Sequence, residues 1–196
     1  MRRIFVLAVL CLLSVCVSPA IASLPYYNKD IGYTIWLPKG WTVASSRDLE
    51  RAGEQCRPLP IQGLTSHWVA GYMTPELGEG CRLLVEVKPG RKMRPADISN
   101  FNNYIVRSLR QSPLDSADDA DSVVLKNATY YKEKKVLRIE TTIGRGKHAL
   151  LGLTYIVYTR KGMLTFVGYL APGEKHMQKV LDTAVLSLYL DDPIRY

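Results

Sequence analysis

The sequence predicts an α+β fold, an antiparallel β-sheet flanked by helices. Three observations predict it. Four extended runs, residues 122–131, 136–143, 148–159 and 163–170, are joined by turns of a few residues. Such short connections make consecutive runs antiparallel neighbours. Two segments, 95–111 and 174–190, carry apolar residues at helical spacing. An alternating strand, Tyr33-Thr34-Ile35-Trp36-Leu37, stands ahead of both.

The elements follow in chain order. Arg2 and Arg3 precede an apolar run, residues 4–17, that closes on Ala20-Ile21-Ala22. This is the pattern of a secretory signal peptide over residues 1–22, cleaved before Ser23. Cys16 is preceded by Val15, bulky where a lipoprotein signal has a small residue, so plain secretion is favoured over lipidation. Residues 23–196 then suit one globular domain with its own core, and the 47% apolar content of the whole chain is ordinary for one. No later apolar stretch approaches the roughly 20 residues of a spanning helix. The net charge is +8, and Arg2 and Arg3 account for two of those charges, leaving +6 for residues 23–196. That excess favours acidic partners or an anionic membrane surface weakly. It does not define a nucleic-acid binder, and export argues against one.

Residues 23–30 read as a polar lead-in. Pro38-Lys39-Gly40 turns the first strand toward Trp41-Thr42-Val43 in a hairpin-like start, and residues 47–54 make about a helical turn. Residues 65–73 and 81–88 are strands. In the second, Leu83, Val85 and Val87 face one side, opposite Arg82, Glu86 and Lys88. Pro95 opens a helix that buries Ile98, Phe101, Ile105 and Leu109 and stops before Pro113. The third run of the meander is apolar on both faces and belongs at the centre of the sheet. Met177, Val180, Leu181, Ala184, Val185 and Leu188 define the last helix, over residues 174–190.

Removal of the signal leaves Cys56 and Cys81. An oxidising compartment favours a disulfide between them, with two buried thiols as the alternative. The bridge would close a loop of about 25 residues and stabilise the fold by about 3.5 kcal/mol on the chain-entropy account. No CxxC or CxxH spacing points to a metal there.

Antiparallel alternation places the meander's turns at two ends of the sheet. Lys132, Lys134, Lys135, Arg160 and Lys161 gather at one end and form a basic rim, a candidate surface for an acidic protein, an anionic headgroup or a glycan. The plain alternative is a solvated set of turns, since lysines also discourage edge pairing. His148 lies at the other end, facing the start of the last helix with Glu174 and His176. Two imidazoles and a carboxylate can ligate Zn²⁺ or move protons, yet no HExxH-type spacing accompanies them. Asp115, Asp118, Asp119 and Asp121 lack the glycine and glutamate of a calcium loop. Ser45, Ser46 and Ser66 lack a nucleophile-elbow context. Asn127-Ala128-Thr129 matches a glycosylation triplet that occurs often by chance. His67 reads as a packed strand residue beside Trp68. Tyr155, Tyr158, Tyr169 and Tyr189 read as lining the sheet–helix interface, and Tyr26 with Tyr27 as a pair exposed to a partner or packed on the sheet edge.

The segment Gly32-Tyr33-Thr34-Ile35-Trp36-Leu37-Pro38-Lys39-Gly40-Trp41, an aromatic-flanked strand followed by Pro-x-Gly-Trp, resembles the opening of PsbP-like superfamily members. The order of elements over most of residues 30–190 resembles them too, and residues 33–41 are the one local motif. The resemblance implies an α/β/α sandwich. Its relatives include an extrinsic photosystem subunit, a Ran-binding protein, periplasmic proteins and secretion chaperones, which mostly bind other proteins. It carries no catalytic residues over, and fold does not fix function. The expectation is therefore an exported, periplasmic or secreted, non-enzymatic binding or accessory protein without a cofactor. A metal-binding protein or small metal-dependent enzyme built on His148 and His176 is the alternative.

Overall fold

The computed structural model describes residues 23–55, 67–74, 81–111, 122–146 and 149–196. Among these residues ten strands and three helices follow one another as β1 (Ser23–Asn28), β2 (Tyr33–Pro38), β3 (Thr42–Val43), α1 (Ser46–Gln55), β4 (Trp68–Met73), β5 (Cys81–Pro89), α2 (Pro95–Gln111), β6 (Val123–Tyr131), β7 (Val136–Ile143), β8 (Leu150–Thr159), β9 (Gly162–Leu170), α3 (Lys175–Leu186) and β10 (Tyr189–Leu190). Seven strands form one antiparallel sheet in the order β3-β4-β5-β9-β8-β7-β6, and a second sheet has the order β1-β2-β10. β8 lies inside the large sheet and is buried on both faces, as its apolar run requires.

The starts of α1 and α2 are capped by local side chains, whereas Glu174 before α3 makes no such cap. Ser45 precedes α1, and Asp48 stands three residues on. The Ser45 hydroxyl and amide both donate to the Asp48 carboxylate, and Asp48 N–H donates back to Ser45 Oγ. That reciprocal cap satisfies amides the first turn leaves free. In α2, Pro95 takes the first position and Asp97 accepts the Arg94 N–H at 3.3 Å.

The large sheet is covered on both faces. Ile98, Ile105 and Leu109 of α2 pack on Leu137, Ile139, Ile156 and Tyr158, and Ala52 of α1 with Trp68 packs on Leu84 and Val167 beside them. On the other face Tyr33, Ile35 and Leu37 of β2 and Leu181, Ala184 and Val185 of α3 close over Leu83, Val85, Leu153, Tyr155 and Phe166. The β8–β9 turn is only Arg160-Lys161, and Gly162 leaves it at φ 116°. A Cβ there would lie 2.1 Å from the Lys88 carbonyl oxygen, so this crossing against β5 admits only glycine.

Five local expectations are corrected. Residues 23–28 are strand β1, the hairpin partner of β2, whereas Thr42-Val43 crosses to the large sheet and pairs with β4. The last helix ends at Leu186, and Tyr189-Leu190 returns as a strand beside β2. The apolar stripe runs on through Leu188, so periodicity alone does not mark that break. Tyr189 is half-exposed on the outer face of the small sheet instead of lining the interface. His67 is exposed and precedes β4.

Candidate functional site at the basic end of the sheet

β7 pairs with β8 from Val136↔Val157 onward, which sets the 132–135 turn beside the Arg160-Lys161 turn. The two turns are tied to their surroundings through the backbone. Tyr158 N–H donates to Lys135 C=O at 2.9 Å, Gly90 N–H to Lys161 C=O at 2.9 Å, and Arg160 N–H to Ile194 C=O at 2.9 Å. Lys132, Lys134, Arg160 and Lys161 are exposed and Lys135 half-buried. The five predicted cations therefore share one end, and Glu133 is the one acid within the two turns.

The C-terminal tail runs into this end and adds to it. Lys92 Nζ lies 4.5 Å from the Tyr196 ring centroid and Lys135 Nζ 5.2 Å, both within cation–π range. The Tyr196 hydroxyl donates to Met93 C=O at 2.6 Å and fixes the ring. Arg195 lies over Tyr189 at 4.7 Å, donates to Leu190 C=O and pairs with Asp192 at 3.1 Å. Lys134 Nζ donates to Leu186 C=O at 2.6 Å, a cation on the last carbonyls of α3. A hollow of about 320 Å³ lies between the β6–β7 turn and the tail, bordered by Lys134, Lys135, Leu186, Arg195 and Tyr196. A second, of about 450 Å³, is bordered by Asp30, Thr159, Lys161 and Ile194. Lys92, Arg195 and Tyr196 had no signal in the sequence, because the β5–β9 pairing and the path of the tail are long-range.

Lys135 takes a left-handed backbone, φ 55°, at the end of its turn. For a side-chain-bearing residue that conformation costs roughly 1 kcal/mol or more, while glycine adopts it freely.

The opposite end is arranged differently. Glu174 directs its carboxylate to Arg82 Nη1 at 3.1 Å and accepts the Ala171 N–H at 2.8 Å. His176 is exposed on α3 and lines a cleft with Trp36 and Pro38. His148 lies outside the described residues, and among the described residues no three His, Cys, Asp or Glu side chains gather as a metal site. Cys56, the side chain of Cys81, the acidic loop 115–121, Ser66 and the signal segment 1–22 also lie outside them. Tyr26 and Tyr27 separate because neighbours in a strand point to opposite faces. Tyr26 packs edge-on against Tyr72 and donates to Trp41 C=O, while Tyr27 faces out and donates to Asp191 Oδ2 at 2.9 Å. No described helix is long and apolar enough to cross a membrane.

No family model matches the sequence, and no curated protein matches it. Among solved structures, the chain is similar to the solution structure of cyanobacterial PsbP from Synechocystis sp. PCC 6803, with TM-score 0.57 and 16% identity over 90% of this chain and 97% of that one. It is also similar to a Pseudomonas aeruginosa protein of unknown function described as a putative regulator, with TM-score 0.42 and 11% identity over 86% of this chain and 97% of that one. The likeness to PsbP establishes the fold. The chain is an α+β protein of PsbP-like architecture.

Proposed function

We propose that this chain is exported and works as a non-enzymatic accessory protein, recognising an acidic partner protein through the basic end of its sheet. The observation that carries the reading is the held convergence of Lys132, Lys134, Lys135, Arg160 and Lys161, with Lys135 kept in a left-handed conformation that glycine would adopt without strain. A cation retained at a backbone cost supports a role for its charge. The backbone ties preorganise the turns, so little ordering entropy is lost when a partner docks. Residues 1–22 support export, with residues 23–196 as the single mature domain. In that oxidising setting Cys56 and Cys81 pair as a disulfide.

The test uses tagged residues 23–196 and capture of the partner from the native envelope. Lys132, Arg160 and Lys161 are reversed together to Glu, because Lys134 and Lys135 make internal contacts. The variant is expected to lose most of the capture, and capture by the unaltered chain is expected to fade as salt rises from roughly 0.05 to 0.5 M. Lys135→Gly removes the charge and the Tyr196 contact together, with relief of the left-handed strain to offset the lost contact. Capture should weaken while the melting temperature stays level or rises. Undiminished capture by the triple variant sinks the reading.

A further inference from the structure

Among the described residues the small sheet is open along part of one edge. β10 pairs only with Thr34 and Tyr33 of β2, and among the described residues no strand covers residues 35–38 on that side. Helix α3 runs alongside instead. Between the two lies a cleft of about 680 Å³, lined by Trp36, Pro38, His176, Lys179, Val180 and Thr183 among others. Ile35 and Leu37 take the core side of β2, so alternation turns Trp36 outward into the cleft mouth, 36% exposed. Val180 and Ala184 supply an apolar wall. His176 and Lys179 stand exposed above it, and none of the lining residues is acidic. The acid of that helix, Asp182, is turned away to Arg138 and the Tyr155 hydroxyl.

We infer that this cleft takes an extended, acidic segment of a partner protein, added as a strand to the open edge of β2. An uncovered strand edge is a template for a further strand, and strand addition draws affinity from main-chain hydrogen bonds with side-chain pockets setting specificity. Along residues 35–38 Trp36 supplies the open N–H and C=O, since alternate residues of β2 turn to β1, and Pro38 has no N–H and its C=O accepts the Trp41 N–H at 3.3 Å. Alternate side chains of such a segment would meet Trp36, an aromatic anchor of the kind that dominates interfaces, and the apolar wall of α3. Lys179, the cation in the cleft lining, complements carboxylates and repels a basic segment. The site is separate from the basic end, reads backbone as well as charge, and uses a different face of the molecule.

A random dodecapeptide library displayed on phage, selected against residues 23–196, tests the inference. Enrichment is expected for Asp and Glu alternating with Val, Ile or Leu. Synthetic versions of enriched peptides should blue-shift the Trp36 emission, a change absent in Trp36→Phe. Lys179→Glu combined with His176→Glu should weaken their binding about tenfold or more. Arg107→Glu, an exposed site on α2, should leave it unchanged. N-methylation of alternate peptide amides should abolish binding, and methylation of the intervening amides should not, which separates strand addition from simple burial in the cleft. The variants sit on exposed positions, and their melting temperatures are checked to match the parent. Failure to enrich acidic extended sequences, or binders indifferent to the α3 variants and to amide methylation, overturns the inference. Self-association of the chain blocked by Lys179→Glu also overturns it, by assigning the edge to a second copy.

Discussion

The two faces of the large sheet are sealed by different physics. Under α2 the contacts are apolar, and one buried polar pair stands among them, the Tyr158 hydroxyl donating to Asn102 Oδ1 at 2.5 Å. Under α3 and the small sheet an apolar cluster is combined with an ionic and phenolic network. Arg138, 6% exposed, donates to Asp182 at 2.5 and 3.1 Å and to Glu140 at 3.1 Å. Tyr155 donates to the same Asp182 at 2.7 Å, and the Tyr33 and Tyr72 hydroxyls bond each other at 2.8 Å. Burial and the Asp182 charge hold the Tyr155 hydroxyl well above the ordinary phenol range. The difference teaches that apolar periodicity suffices to seat a regular helix, whereas a layer mixing a helix with a small sheet uses directional bonds to set their positions.

The largest effect that would break this contrast is at Asp182. Asp182→Ala leaves the buried Arg138 guanidinium and the Tyr155 hydroxyl short of their shared acceptor. The expected loss is about 3 kcal/mol, from denaturant unfolding, because the buried Arg138 keeps only Glu140 as a counter-charge and the Tyr155 hydroxyl loses its acceptor. A loss below about 1 kcal/mol would show that the network decorates the face without holding it. Next is Asn102→Ala, which strips the one polar partner under α2. About 2 kcal/mol should be lost, and a second change, Tyr158→Phe in the same chain, should restore part of it because no unpaired hydroxyl then remains.

The smallest effect is at Glu86, buried between the two helix-covered patches and 3.6 Å from Lys88. Burial pushes its carboxyl above the ordinary range, and Lys88 only partly offsets this. A carboxyl raised in the folded state binds its proton more tightly there than in the unfolded chain. Its ionisation therefore opposes folding as pH rises through and above that range, and the effect vanishes below the unfolded value. Glu86→Gln should raise the melting temperature near pH 7 and lose that advantage by roughly pH 4. A gain that persists unchanged at low pH would assign the effect to packing instead of charge.

Much of the fold is legible in the chain. α2 is marked at both ends, by Pro95 with Asp97 and by Pro113, and its stripe predicts the buried Ile98, Ile105 and Leu109, whereas Phe101 is only half-buried and the polar Asn102 is buried in addition. The central place of β8 follows from a run apolar on both faces. The gathering of the five cations follows from turns too short to let neighbouring strands run parallel. What escapes local reading shares one cause. Residues 23–28 look polar because an outer strand of a small sheet needs few apolar side chains. Tyr189-Leu190 continues a helical stripe, and only the backbone of Tyr33-Thr34 makes it a strand. Trp36 meets α3 across about 140 residues of sequence.

The sequence by itself determined the alternation of β2 and the meander, the stripes of α2 and α3, the proline punctuation of α2, and the end of the sheet on which the lysines fall. Each rests on periodicity or on a short turn, interactions within a few residues. Only the tertiary structure decided the partner of β1, the crossing of β3 into the large sheet, the pairing of β10, the seating of Tyr196 between Lys92 and Lys135, and the cleft beside Trp36. Those depend on which distant backbone satisfies an open strand edge, and that choice is made by the whole core at once.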